Sequence, residues 1–163
     1  MMEDQTKLMQ EALKEAQLAR DKGEVPIGAV VVKDGLVIGR GHNQKEGSQD
    51  ATLHAELVAI RQANHTLGNW RLENCDLYVT LEPCPMCSGA IVQSRIRRVY
   101  FGPYDPKSGA AGSLMNLLQD DRLNHQAEVI PGLLQADCQN LLQSFFKDLR
   151  ARKKKEKKDR QQE

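Results

Sequence analysis

The sequence predicts an α/β fold with three layers, in which helices cover both faces of a mixed five-stranded sheet. Strand-like and helical segments alternate along most of the chain, which is typical of this class. Asp34-Gly35 lies between two strand-like runs, and an Asp-Gly pair in this setting is a strong signal for an antiparallel β-hairpin. Helical segments separate the later strands, so the sheet is expected to be largely parallel after the hairpin.

Each predicted element has its own signal. Apolar and alanine side chains at steps of three and four predict a helix over residues 4–22, which Gly23 closes. Residues 27–32 are apolar throughout, which is typical of a strand buried on both faces, and residues 36–41 supply the hairpin partner. The other predicted elements are a polar loop (43–52), a helix (54–64), a strand (77–81), a helix (84–94), a strand (99–102), a loop (103–113), a short helix (114–118), a strand (129–130) and a long C-terminal helix.

Length and charge indicate one domain with a basic tail. The chain has 163 residues, enough for one hydrophobic core, and we assign residues 1–150 to a single domain. Residues 147–163 contain nine Lys or Arg against four Asp or Glu, so this end carries a net +5 within a total of +1. We expect residues 151–163 to be disordered or a frayed helix. Their charge favours a polyanionic partner, and a solvated helix end is the alternative interpretation.

The sequence also disfavours a membrane-spanning protein and a secreted protein. The longest apolar run, Ile27 to Val32, is far shorter than the roughly 20 residues of a membrane span. The first residues lack the basic and apolar regions of a secretion signal, so we expect a cytoplasmic protein with reduced thiols. The four cysteines are then expected to be metal ligands or core residues rather than disulfides. Cys75 and Cys138 fall at inward positions and are predicted to lie in the core.

Two short stretches carry the chemistry, His54-Ala55-Glu56 and Pro83-Cys84-Pro85-Met86-Cys87. The two cysteines, three residues apart, share one face of the first turn of a predicted helix, where the helix dipole favours thiolate. The histidine opens another helix and can supply a third ligand. Two thiolates and one imidazole select zinc over magnesium or calcium, and three protein ligands leave the fourth tetrahedral position open, as in catalytic zinc sites.

Glu56 makes this predicted metal site a predicted catalytic site. Zinc lowers the pKa of a bound water towards ~7, and a carboxylate beside that water can take its proton and later return it to a leaving group. Taken alone, a Cys-x-x-Cys pair at a helix start can be a redox pair, and a histidine there can be a helix cap or a packed residue. The combined order, His-x-Glu followed after 26 residues by Pro-Cys-x-x-Cys, is the signature of zinc-dependent nucleobase deaminases.

Beyond these motifs, the sequence resembles the cytidine deaminase superfamily from about residue 24 to residue 146, and within it the bacterial tRNA-specific adenosine deaminases. Many deaminases share the zinc motif, so it does not indicate the tRNA branch by itself. The last three of the stretches named in the next sentence are the ones that indicate this branch. The matching stretches, besides His54-Ala55-Glu56, are Glu24-Val25-Pro26-Ile27-Gly28-Ala29-Val30, His42-Asn43, Leu77-Tyr78-Val79-Thr80-Leu81-Glu82-Pro83-Cys84, Ser94-Arg95-Ile96, Gly109-Ala110-Ala111-Gly112-Ser113-Leu114-Met115 and Phe145-Phe146.

The resemblance implies a cytidine deaminase-like fold and a homodimer that converts the wobble adenosine of a tRNA anticodon loop to inosine, with one zinc ion per chain. By position it assigns zinc binding to His54, Cys84 and Cys87 and proton transfer to Glu56. We expect Glu56 to deprotonate the zinc water, the hydroxide to attack C6 of adenine, and Glu56 then to protonate N1 and the departing ammonia. The substrate contacts that it assigns are Asn43 to the nucleoside, Ile27, Leu81 and Pro83 to the base, Asp105 and Lys107 to flanking nucleotides, and Phe145, Phe146 and Arg150 to the anticodon loop.

Several of these residues have alternative interpretations. Asn43 alternatively forms an Asx turn. Phe145 and Phe146 are adjacent on a predicted helix, so either both are buried or one ring faces a base. Pro85 stands where many tRNA deaminases carry valine or alanine and is common in relatives that act on free guanine. Two other functions stay open, a deaminase of a free base or nucleotide and a non-catalytic, zinc-stabilised RNA-binding module, and Glu56 makes the second the weaker.

Overall fold

The computed structural model, which describes residues 2–162, contains the mixed five-stranded sheet that the sequence predicts. The strands across the sheet follow the order β2-β1-β3-β4-β5. In chain order they are β1 (Gly28–Lys33), β2 (Leu36–His42), β3 (Cys75–Val79), β4 (Arg98–Phe101) and β5 (Glu128–Ile130). β1 is antiparallel to both β2 and β3, whereas β3, β4 and β5 run parallel. The prediction of a hairpin followed by a largely parallel sheet is therefore confirmed.

Helices cover both faces of this sheet. Over the described residues they are α1 (Met2–Asp21), α2 (Lys45–Ser48), α3 (Ala55–Leu67), α4 (Pro85–Gln93) and α5 (Gln135–Gln161). α1 and the first part of α5 pack on one face, and α3 and α4 pack on the other. Cys75 and Cys138 are buried in these two cores, as predicted. Across residues 2–162, no helix combines the length and the apolar character that crossing a bilayer requires.

The central strand β1 shows why its sequence is apolar throughout. Val30 and Val32 pack in the core beneath α1, and Val31 packs in the core beneath α3. At the start of β1, the helix α1 lies so close to the strand that a Cβ on Gly28 would be 2.0 Å from the carbonyl oxygen of Ala12. The glycine and the small alanines of α1 therefore allow a close contact between helix and strand.

Two elements differ from the sequence prediction. Residues 45–48, inside the predicted polar loop, form the single turn α2, and the Glu24 carboxylate accepts backbone hydrogen bonds from this turn at 2.6 and 2.9 Å. The predicted helix at 114–118 is instead a 3₁₀ turn at Leu117–Gln119. The backbone N–H of Gly112 donates to Met115 at 2.9 Å and closes a tight turn where that helix was expected to begin.

The C-terminal helix is longer than its buried part. α5 continues as a helix over residues 151–161, and all of these residues are exposed. The sequence predicts a disordered or frayed tail over this segment. The division into a domain at residues 1–150 and a separate tail stays a prediction.

One edge of the sheet gathers the functional stretches. The carboxyl ends of β3 and β4 lie at this edge because the two strands are parallel. The start of β1 and the end of β2 lie at the same edge, since β1 runs antiparallel to β3 and pairs Gly28 with His42. Residues 27, 43, 81–84 and 102–103 thereby come together.

Candidate active site

Three metal-ligating side chains meet at the tips of two helices. His54 is the N-cap of α3, Cys84 is the N-cap of α4, and Cys87 lies in the first turn of α4. The Nδ1 atom of His54 is 3.6 Å from the Sγ atom of each cysteine. In the part of the chain that the structure describes, this trio is the set of His, Cys, Asp and Glu side chains whose ligand atoms cluster closely enough to hold a metal ion. The predicted triad is therefore assembled.

The spacing of these atoms fits zinc. A tetrahedral ion with bonds of about 2.3 Å to sulfur and about 2.1 Å to nitrogen places those two ligand atoms about 3.6 Å apart. The observed separations between nitrogen and sulfur, 3.6 Å in both cases, match this value. Two sulfurs and one imidazole nitrogen form a soft donor set that suits zinc better than magnesium or calcium.

The thiols are already polarised by one another. A hydrogen bond from Cys87, assisted by His54, lowers the pKa of the Cys84 thiol to about 4. The same hydrogen bond, together with burial, raises the pKa of Cys87, and the contact with Cys84 raises the pKa of His54. These shifts favour a thiolate at Cys84 that is hydrogen-bonded to Cys87 and His54, and a bound cation would replace the protons in these hydrogen bonds.

Glu56 lies in the first turn of α3, two residues after His54. Its side chain is almost completely buried, with 4% of the residue exposed. Burial raises the pKa of its carboxyl to about 7, and the carboxyl contacts the thiol of Cys87. A carboxyl with a pKa near neutrality can both accept and donate a proton near pH 7.

Asn43 fixes the backbone between the histidine and the glutamate. The side-chain oxygen of Asn43 accepts a hydrogen bond from the backbone N–H of Ala55 at 2.9 Å. The backbone N–H of Asn43 donates to the carbonyl of Ile27 at 3.2 Å. This long-range contact replaces the local Asx turn that is the alternative interpretation of Asn43. The residue is buried at the sheet edge, and its contact with a nucleoside stays a prediction.

Glu82 is a site residue that sequence reasoning missed. It immediately precedes Pro83 and is 3% exposed. Its two carboxylate oxygens accept hydrogen bonds from the N–H groups of Asp105, Ala111 and Ser113 at 2.8 to 3.0 Å, and also from the Ser113 hydroxyl. The loop at 103–113 is thereby fastened to the turn that carries the cysteines. The signal in the sequence is a charged residue at the end of an apolar strand.

Gly109 shows how closely this loop approaches the carboxylate. A Cβ at this position would lie 2.2 Å from the carboxyl carbon of Glu82. The neighbouring Ala110 donates its N–H to the carbonyl of Pro83 at 2.8 Å. The Gly-Ala-Ala-Gly-Ser stretch is therefore built to wrap a buried carboxylate.

A groove of about 410 Å³, which we call the α5 groove, lies beside this loop. It runs between the end of β3, the loop at 103–113 and α5, and four of the predicted substrate-binding residues line it. Those four are Leu81, Lys107, Phe146 and Arg150.

The other predicted contacts lie elsewhere around the site. Asp105 directs one carboxylate oxygen back to the N–H groups of Lys107 and Ser108, at 3.1 and 3.3 Å. Ile27 is half-buried and Pro83 is buried at the sheet edge. Phe145 is 5% exposed, whereas the neighbouring Phe146 is 40% exposed, so one ring is buried and one is not.

The fold and the triad define a deaminase, and comparisons with known proteins agree. The profile of the family described as MafB19-like deaminase matches residues 3–150. A solved structure of a tRNA:A34 deaminase superposes with a TM-score of 0.81 at 46% identity, over 84% of this chain and 99% of that one. A guanine deaminase structure from Bacillus subtilis gives a TM-score of 0.59 at 39% identity, over 66% of this chain and 69% of that one.

The sequence relatives narrow this class. The tRNA-specific adenosine deaminase of Bacillus subtilis is 55% identical over 93% of this chain and 94% of its own length. That of Haemophilus influenzae is 46% identical over 93% of this chain and 88% of its own length. The chain therefore belongs to the deaminase family, within the branch of tRNA-specific adenosine deaminases.

Proposed function

We propose that this protein catalyses the hydrolytic deamination of the wobble adenosine of a tRNA anticodon loop to inosine, with one zinc ion bound by His54, Cys84 and Cys87. The observation that carries the proposal is the complete triad, spaced for tetrahedral zinc, in a chain 55% identical to a tRNA-specific adenosine deaminase over 93% of its length. Zinc in this site supplies Lewis acidity and brings the pKa of a water molecule towards ~7. The side chains of the protein supply the proton transfer and the binding pocket for the base.

Glu56 moves the protons. It takes a proton from the attacking water as the oxygen adds to C6 of adenine, and it gives that proton to N1. It then transfers the second proton of the water to the departing amine, so that adenosine and water become inosine and ammonia. The raised pKa of its carboxyl, about 7, supports this role because the same group has to accept and release a proton near neutral pH.

The base pocket is formed at the sheet edge. Asn43 holds the nucleoside, and Ile27, Leu81 and Pro83 form the apolar walls around the base. The convergence of the ends of β1, β2 and β3 at this edge supports the assignment. An anticodon loop suits such a pocket, since its bases are already unstacked in part and reach an enzyme without the cost of opening a duplex.

RNA outside the pocket lies along the α5 groove. Lys107 and Arg150 pair with phosphates, Phe146 offers an exposed ring for stacking on a base, and Asp105 shapes the loop that meets the flanking nucleotides. We assign Phe145 to packing rather than to RNA contact, because this residue is 5% exposed and its ring packs edge-to-face with that of Phe146.

We also infer that the active form is a homodimer. Three large apolar side chains are between 37% and 58% exposed: Met86 in the first turn of α4, and Leu114 and Met115 just after the loop at 103–113. Apolar side chains of this size beside a site favour burial against another protein surface. The mass of the assembly in solution, measured by light scattering, checks this inference.

The decisive experiment is to incubate purified, zinc-loaded protein with unmodified tRNA and to sequence the tRNA for adenosine-to-inosine change. We expect inosine at the wobble position and ammonia released in equal amount. Free guanine and cytidine are assayed in parallel, because Pro85 and the guanine deaminase relative make a free base the second candidate substrate. Ammonia from guanine but not from tRNA would overturn the proposal, and ammonia from none of them would favour a non-catalytic RNA-binding protein.

A further inference from the structure

α5 carries a row of basic side chains that continues the α5 groove beyond the family match. The family profile ends at residue 150, but the helix runs on to Gln161. Residues 151–161 contain seven Lys or Arg against one Glu and one Asp, and all of them are exposed. This segment adds a charged helical surface to the fold, and none of its side chains is buried.

The charges are arranged by helix geometry. The groove is lined from α5 by residues 139, 142, 143, 146 and 150, which recur at steps of three and four and so lie on one side of the helix. The same steps lead on to Lys153, Lys157 and Arg160. At 3.6 residues per turn, Lys153 and Lys157 point within about 20° of Phe146. We call Arg150, Lys153, Lys157 and Arg160 the basic stripe.

We propose that the basic stripe binds the phosphate backbone of the RNA stem that extends from the anticodon loop. This inference rests on the proposed function, because it takes the loop to lie in the α5 groove. The stripe spans about 15 Å from Arg150 to Arg160 at 1.5 Å per residue, and it passes several phosphates of one strand over that distance. Contacts of this kind position a substrate without reading its sequence.

The composition of the tail favours RNA over a lipid surface. A helix that lies on a membrane needs an apolar face opposite its charges. Ala151 is the apolar residue in the segment from 151 to 161, so such a face is lacking there. The continuity of the stripe with a groove already lined by Phe146 and Arg150 adds to this preference for RNA.

The same helix offers a matched control. Lys155 and Lys158 are equally exposed and equally charged, but they point about 180° and about 120° away from Phe146. The double variants Lys153→Gln with Lys157→Gln, and Lys155→Gln with Lys158→Gln, therefore remove the same charge from opposite sides of one helix. A diffuse field would respond equally to both changes, whereas a binding surface would respond to one.

The test measures the dissociation constant of each full-length double variant for two anticodon hairpins, one with a long stem and one with a short stem, over a series of salt concentrations. For the long-stem hairpin, the stripe variant should weaken binding at least tenfold at low salt. It should also reduce the slope of log K against log salt by about 1.4 to 1.8, which corresponds to two lost phosphate contacts. The control variant should change binding less than threefold. For the short-stem hairpin, the two variants should behave alike.

Equal losses in both variants, no loss in either, or a loss that does not depend on stem length would overturn the inference. The natural chain and both variants are also tested for binding to anionic phospholipid vesicles. If the natural chain binds the vesicles and only the stripe variant loses this binding while its RNA binding is intact, the stripe is a membrane-binding surface and the inference is overturned. Inosine formation by the natural chain, measured separately, reports on the proposed function, so the failure of one proposal can be distinguished from the failure of the other.

Discussion

Glu56 and Glu82 are two glutamates of the same site with nearly equal burial and opposite surroundings. Glu56 is 4% exposed and faces the thiol of Cys87, and burial raises the pKa of its carboxyl to about 7. Glu82 is 3% exposed and receives three backbone N–H groups and one hydroxyl from a single loop. Both carboxyls lie within two residues of a predicted zinc ligand.

The comparison separates a chemical role from a positioning role. A buried carboxylate with many donors is held in one position, and it orders the loop that supplies those donors. A buried carboxylate without such a shell exchanges a proton readily near neutrality. Burial alone therefore does not distinguish the two predicted roles, and the hydrogen-bond partners of each carboxyl do.

Replacement of Glu56 should have the largest effect. Glu56→Gln keeps the shape of the side chain but cannot accept and return a proton, so we expect kcat to fall by at least about 10³-fold. Zinc should stay bound, as measured by metal analysis of the purified variant. Retained turnover would remove Glu56 as the proton carrier, and loss of zinc would make it a structural residue.

Replacement of Glu82 should have an intermediate effect of another kind. Glu82→Gln turns an acceptor oxygen into an NH₂ group that faces backbone N–H donors, so the loop at 103–113 is released. We expect KM for tRNA to rise about 10- to 100-fold with a smaller change in kcat, and stability to fall by about 1–3 kcal/mol. Kinetics on tRNA and urea denaturation measure the two quantities.

Glu24 is the matched control for this variant. It is also 3% exposed, and its carboxylate accepts two backbone hydrogen bonds, from Glu46 and Gly47 of α2. Glu24→Gln should therefore lose similar stability while KM stays within about threefold of the natural value. A KM that rises equally in both variants would mean that any loss of stability weakens RNA binding, and Glu82 would then have no particular part in positioning.

The candidate metal ligands and Glu56 could be predicted from the sequence because each of the two motifs is short and their order matches the signature of zinc-dependent deaminases. Two cysteines three residues apart on a helix, and a histidine two residues before a glutamate, have few possible arrangements. The hairpin at Asp34-Gly35 and the periodic helices were predictable for the same reason. Local spacing determines each motif, whereas the meeting of the two motifs, 30 residues apart, was expected from the deaminase signature and is seen in the structure.

The partners of Glu82 and the short helix α2 could not be predicted, because both depend on contacts between distant parts of the chain. The partners of Glu82 lie 23 to 31 residues away, and the carboxylate that holds α2 lies more than 20 residues before it. Phe145 and Phe146 posed the same difficulty, since adjacency in sequence does not decide which ring faces the core. The periodicity of a sequence predicts one helix or strand at a time. It does not predict the contacts that these residues make with other parts of the chain.

The smallest effect is expected at Ser113, which tests a single member of the shell around Glu82. Ser113→Ala removes the hydroxyl donor but keeps the backbone N–H that also binds the carboxylate at 3.0 Å. We expect a loss of about 1 kcal/mol in the free energy of unfolding and a change in KM of less than about threefold, since the remaining donors still hold the loop.

Ser108→Ala, in the same loop, is the control, because it keeps the backbone hydrogen bond to Asp105 and should change stability by less than about 0.5 kcal/mol. Urea denaturation resolves this difference. A KM for the Ser113 variant as high as that of the Glu82 variant would show that the hydroxyl, rather than the set of backbone donors, holds the loop in place.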